Sequence, residues 1–128
     1  MGMGISTLLT EQEFLNLPDA PGRQEFRDGE LIQLPPAKYS HSELIKRIYA
    51  LLLTVLHKSR IWIATGFQLR TNRWVVPDIC VIYPDQPRAN GWFQRSPLVA
   101  IEVASRAATH RTNCSRRSAI IWRPAWPK

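Results

Sequence analysis

A chain of 128 residues has the length of one domain, enough to bury a core without disulfide staples, and its 45% hydrophobic and 21% charged content excludes a disordered protein. No apolar run approaches the ~20 residues that span a bilayer, and the N-terminus lacks the basic and apolar regions of a secretory signal, so the cytoplasm is the expected compartment, with no membrane partner. The net charge of +7 is uneven: residues 1–105 carry 11 Lys/Arg against 10 Asp/Glu, whereas residues 106–128 carry six basic residues and no acid. A nearly neutral body is thus joined to a basic tail, which can bind phosphate backbones or be a solvated end. Two cysteines make no disulfide framework, and Cys80, set in an apolar run, reads as a buried small hydrophobe.

Thr10-Glu11-Gln12-Glu13 has the spacing of a capping box and predicts a short helix ending near Leu17-Pro18. Asp28-Gly29, flanked by Gln24–Arg27 and Glu30–Leu34, predicts a hairpin, because both residues tolerate positive φ. Ser40-His41-Ser42-Glu43 has the spacing of a second capping box. Leu44, Ile45, Ile48, Leu51, Leu52, Val55 and Leu56 recur with helical period behind it, predicting a helix from about His41 to His57. Ile61 to Leu69 reads as a strand, followed by a turn at Thr71-Asn72-Arg73. The runs Trp74–Tyr83 and Pro97–Ala104 read as two more strands, separated by a polar loop from Pro84 to Ser96. The order predicts an α/β or α+β domain whose mixed sheet packs on the long helix. The body is read as 6–105 and the remainder, 106–128, as a basic tail without clear periodicity, its end too broken by proline for an interior strand.

Asp78 and Glu102 stand inside those last two apolar runs. An acid among Val and Ile is costly unless something pairs with its charge. Side chains alternate along a strand, so Val76, Asp78, Cys80 and Ile82 share one face, as do Leu98, Ala100 and Glu102. Were the two strands to pair with these faces aligned, the carboxylates would converge on one patch able to hold Mg²⁺, which takes one or two carboxylates and keeps several waters. The competing reading makes Asp78 a strand cap after Pro77 and gives Glu102 an arginine partner. His110 and Cys114 are too few ligands for a structural zinc. Of the tryptophans, Trp62 and Trp74 read as core, and Trp92, in the polar loop, as the better contact for a nucleic acid base.

Several segments together resemble the Uma-two family of restriction-endonuclease-like proteins, within the PD-(D/E)XK nuclease superfamily. They are Thr10–Leu15 with Leu17-Pro18, Glu25–Leu31, Leu34-Pro35-Pro36, His41 at the head of a Leu/Ile-rich helix, Pro77-Asp78, and Pro97–Ser105, covering roughly residues 7–110. The resemblance implies a restriction-endonuclease-like fold and metal-dependent cleavage of nucleic acid, DNA above all, with Mg²⁺ or Mn²⁺. It implies Asp78 and Glu102 as catalytic metal ligands, Glu30 as an auxiliary acid, and His41 as a helix-start residue that reaches substrate or closes the helix end. Glu43 is read as a cap, and Glu25 as a hairpin salt-bridge partner that can also serve the site.

The chain departs from the pattern after Glu102. The superfamily places a lysine two residues beyond this acid, where Ala104 stands, and no lysine occurs between Lys58 and Lys128. An abrupt loss of acids and periodicity after a matching body is what a reading-frame shift or premature termination would produce. In the resembling family the lysine stands instead on the helix after the Glu102 strand, which the Arg-, Ser-, Trp- and Pro-rich stretch replaces here. The expectation is an incomplete core with little or no nuclease activity for want of that lysine-bearing helix, and a missing last strand, whose exposed sheet edge would invite homodimerisation. The alternative is a non-catalytic nucleic-acid-binding or interaction module that keeps the fold and uses the basic tail.

Overall fold

The computed structural model describes residues 8–18, 23–104 and 119–123, the last five as backbone. Thr10 opens α1 (Glu11–Leu15) with a complete capping box: its hydroxyl accepts from the Glu13 amide (3.1 Å), and the Glu13 carboxylate accepts from the Thr10 amide (3.2 Å). These bonds satisfy donors that a helix start leaves bare. The hairpin follows as β1 (Arg23–Arg27) and β2 (Glu30–Leu34). Asp28 (φ 50°) and Gly29 (φ 97°) form its two-residue turn, the twist that antiparallel strands favour.

The long helix, α2, runs Tyr39–Leu53, starting and ending earlier than its periodicity predicts. The second capping box does not form. Because the cap falls at Lys38, Ser40 lies within the first turn, and the Lys38 side chain makes no cap bond. At the other end Thr54 turns its hydroxyl back onto the Leu51 carbonyl (2.7 Å), and the helix stops there. Ile45 and Ile48 on α2 pack with Ile61, Ile79 and Val103 into one core cluster.

The apolar stretch from Ile61 is not one strand but two, β3 (Ile61–Ile63) and β4 (Phe67–Arg70). The run from Trp74 is likewise divided into β5 (Arg73–Val75) and β6 (Ile79–Val81). Ile63 faces Ile79 and Phe67 faces Val75, so a single register continues through both breaks. The four strands are therefore one long hairpin, closed at Asn72 (φ 63°) and bent in the middle. The bend falls where Pro77 has no N–H to offer a ladder and Ala64 takes a positive φ of 48°. Gly66 lies at the same bend with the Trp92 ring against it, where a Cβ would overlap the indole.

The bend sends the halves of the hairpin into different sheets. With β7 (Arg88–Ala89), β8 (Trp92–Gln94), β9 (Val99–Ala104) and β10 (Ala119–Arg123), one sheet has the order β2-β1-β5-β4-β8-β7, the other β10-β9-β6-β3. The polar loop expected from 84 to 96 contains β7 and β8, turned at Asn90-Gly91. The β4–β8 pair is parallel, which makes the first sheet mixed. β9 has β6 on one side and β10 on the other, over five antiparallel pairs. The last strand expected to be missing is thus supplied from within the tail, and the bare edge of β9 expected from the sequence is covered. The architecture is α+β, with a mixed sheet and the long helix packed on β3 and β9. No helix among the described residues is long and apolar enough to cross a membrane.

Candidate functional site

Asp78 follows Pro77 directly, at the point where the chain leaves one sheet for the other. Its side chain is 2% exposed. In the β6–β9 ladder Cys80 faces Ala100 and Ile79 faces Ile101, so one further step sets Asp78 opposite Glu102. Directly opposed residues of an antiparallel pair share a face, which brings the two carboxylates together as the alternation along the strands required.

The surroundings of Asp78 come from four other elements. Nη1 of Arg23, on β1, donates to Oδ1 (2.5 Å) and to the Val76 carbonyl (3.3 Å). Nε2 of His41, in the first turn of α2, donates to the same Oδ1 (3.1 Å). The Val103 amide on β9 donates to Oδ2 (2.6 Å), and the Asp78 carbonyl accepts from the Ala64 amide (3.1 Å) at the opposite bend. Glu25, buried on the same face of β1 as Arg23, accepts from the Val76 amide through Oε2 (2.9 Å) and from Arg27 through Oε1 (2.7 Å). Arg23 and Glu25 thus hold both polar groups of Val76, the residue that begins the sheet crossing.

Three acids share this junction, and Glu102 carries the consequence. Burial first, then the charges of Asp78 and Glu25, push its carboxyl up to about 7. A hydrogen bond between the protonated carboxyl and Asp78 acts in the same direction, and Arg23 opposes them. A crowd of carboxylates short of positive charge is the donor set a hard divalent cation suits. Among the described residues no three His, Cys, Asp or Glu side chains already surround a common point. Two opposed carboxylates are the kind of donor a hard cation such as Mg²⁺ takes when water completes its shell.

Of the residues singled out in the sequence, Asp78, Glu102 and His41 come together. Glu30 does not: it is exposed beside the hairpin turn and faces Arg27, four residues along β1 from Arg23, or roughly 13 Å at strand rise. Glu43 is exposed and pairs with Arg47 (3.5 Å), one helical turn on. Trp92 is in β8 rather than a loop, edge-on against Trp74 with centroids 4.8 Å apart. Arg23 went unnoticed in the sequence, although Arg23-x-Glu25-x-Arg27 alternates charge along one strand face and is a readable sign of a polar junction. A cavity of about 310 Å³ opens onto Asp78 between α2 and the bend.

Residues 11–114 match the model of the Uma2 family, described as "Putative restriction endonuclease". Among solved structures the chain is similar to a putative nuclease belonging to DUF820 from Anabaena variabilis, with 26% identity and a TM-score of 0.64. The similarity covers 76% of this chain and 59% of that one, so the chain spans less than two thirds of that structure's length. No curated protein matches. The family match runs from α1 through β9 and so includes β1, α2, the bend and β9, which assemble the carboxylate junction, and the chain belongs to the Uma2 family.

Proposed function

We propose that this chain is a Mg²⁺-dependent endonuclease-like domain that hydrolyses phosphodiester bonds of nucleic acid, DNA in the first place, with Asp78 and Glu102 as the metal ligands. The observation that carries the reading is the directly opposed carboxylate pair at the crossing between two sheets, with Asp78 buried and Glu102 half-buried. When bound, the ion would lower the pKa of a water and stabilise charge on the phosphate. The protein's own groups do the rest. Arg23 and His41 hold the Asp78 carboxylate in one orientation, and the Val103 amide fixes its other oxygen. Glu102 keeps its proton up to about pH 7 unless a cation displaces it. Ala104 offers no cation beside Glu102, so the rate is expected to be low for this chemistry. Family membership and the similarity to a nuclease structure support a nuclease-like activity in general.

One observation favours a second reading, a module that binds nucleic acid without cleaving it. Both oxygens of Asp78 already accept hydrogen bonds from protein, as a structural carboxylate would. A plasmid-cleavage assay with Mg²⁺ or Mn²⁺ decides between them. Cleavage by the natural chain that disappears in a folded Asp78→Asn variant supports the enzyme. Binding of DNA without cleavage in either protein supports the module.

A further inference from the structure

The cavity beside Asp78 is bounded by the first two turns of α2, the Pro35–Ala37 segment and the bend at Ile63-Ala64. Pro35, Pro36, Ile45 and Ile63 make its walls largely apolar, and Arg23, His41 and Asp78 form its polar end. Lys46 also lines it, one helical turn beyond Ser42. Its neighbour Arg47 pairs with Glu43, whereas Lys46 is exposed and has no acidic partner among the described residues. Arg23 is engaged with Asp78, so the carboxylates present a phosphate with net repulsion unless another cation meets it. A lysine stem can lie along an apolar wall and keep its ammonium at the mouth.

We propose that this cavity is a nucleotide subsite in which Lys46 contacts a phosphate of the bound strand and the Pro35, Pro36, Ile45 and Ile63 wall takes the adjoining sugar and base. The inference rests on the nuclease reading and names where its strand lies. About 310 Å³ is at the small end of ligand pockets and is the size for one nucleotide rather than a longer segment. The apolar wall gives sequence-tolerant contact, and the lysine gives a salt-dependent one.

The test is fluorescence anisotropy with a short fluorescein-labelled DNA strand in EDTA, over a range of KCl concentrations, so that no cleavage enters the measurement. Lys46→Met is expected to weaken binding about fivefold near 0.15 M salt and to lower the salt slope by about 0.7, the loss of one released counterion from a single strand. Lys46→Arg restores both. Arg47→Met, which removes the same charge one position along, changes affinity less than twofold. Thermal melts of each variant are expected to match the natural chain, because both side chains are exposed. If the natural chain binds and Lys46→Met is indistinguishable from Arg47→Met, the subsite is overturned and the nuclease reading stands. If the natural chain binds no strand, with or without Mg²⁺, the nuclease reading fails and the subsite with it.

Discussion

Glu102 is a carboxyl that holds its proton into the neutral range because burial and two neighbouring acids oppose its charge. An unfolded chain releases this proton near 4.5, the folded chain near 7. Between those values the folded state binds more protons, so this group's contribution to stability falls as pH rises from about 4.5 to about 7 and is flat above. Urea titrations of metal-free protein across that window are expected to show the decline, and Glu102→Gln to remove it. Near pH 8 that variant is expected to be more stable by roughly 1–2 kcal/mol, a figure trimmed because the carboxyl keeps some contact with water. The same substitution removes a proposed ligand. Mg²⁺ should therefore raise the melting temperature of the natural chain above pH 7, less so below it, and not that of Glu102→Gln. The acid pair was legible in the sequence because carboxylates among Val and Ile are conspicuous. Arg23 was not, because it reaches Asp78 across 55 positions of chain and from the other sheet.

At the scale of elements, the bent hairpin decides where the site lies. Two long apolar runs read as two strands because strand alternation continues through the bend, and the register does as well. What divides them is local: Pro77 in one arm, the positive φ of Ala64 and the bare Cα of Gly66 in the other. Gly66→Ala is expected to push the Trp92 ring off the bend and cost about 1–3 kcal/mol in urea unfolding, with a changed near-ultraviolet circular dichroism spectrum. The Asn90-Gly91 turn was also readable, a strong hairpin pair, but the strands beside it are two and three residues long and their apolar pattern is too short to register. The helix boundary was missed for a different reason. Capping-box spacing at Ser40 was present without the geometry, since the cap is one residue earlier than Tyr39 and the box two later.

Over the whole molecule, α+β architecture followed from the order of helix, hairpin, helix and strands, and the family resemblance followed from motif order along most of the chain. The division into two sheets did not, because pairing partners are a property of the folded chain and not of any one segment. The same holds for β10, whose five residues gain their strand conformation from a neighbour 15 positions upstream at the nearest pair. A chain ending at Ala104 would leave one edge of β9 without its ladder, and light scattering is expected to show dimers or larger species that the full chain does not form under the same conditions.

The Ala64 amide, bonded to the Asp78 carbonyl, is one of the few hydrogen bonds that span the bend. Its proton can exchange with solvent only when the two halves of the hairpin part there. A cation held by Asp78 would steady the residue whose carbonyl this amide is bonded to, so the exchange rate of this single amide is expected to gauge site occupancy. Deuterium uptake at Ala64 is expected to slow with Mg²⁺ while the amides of α1 keep their pace, a readout of binding that requires no cleavage at all.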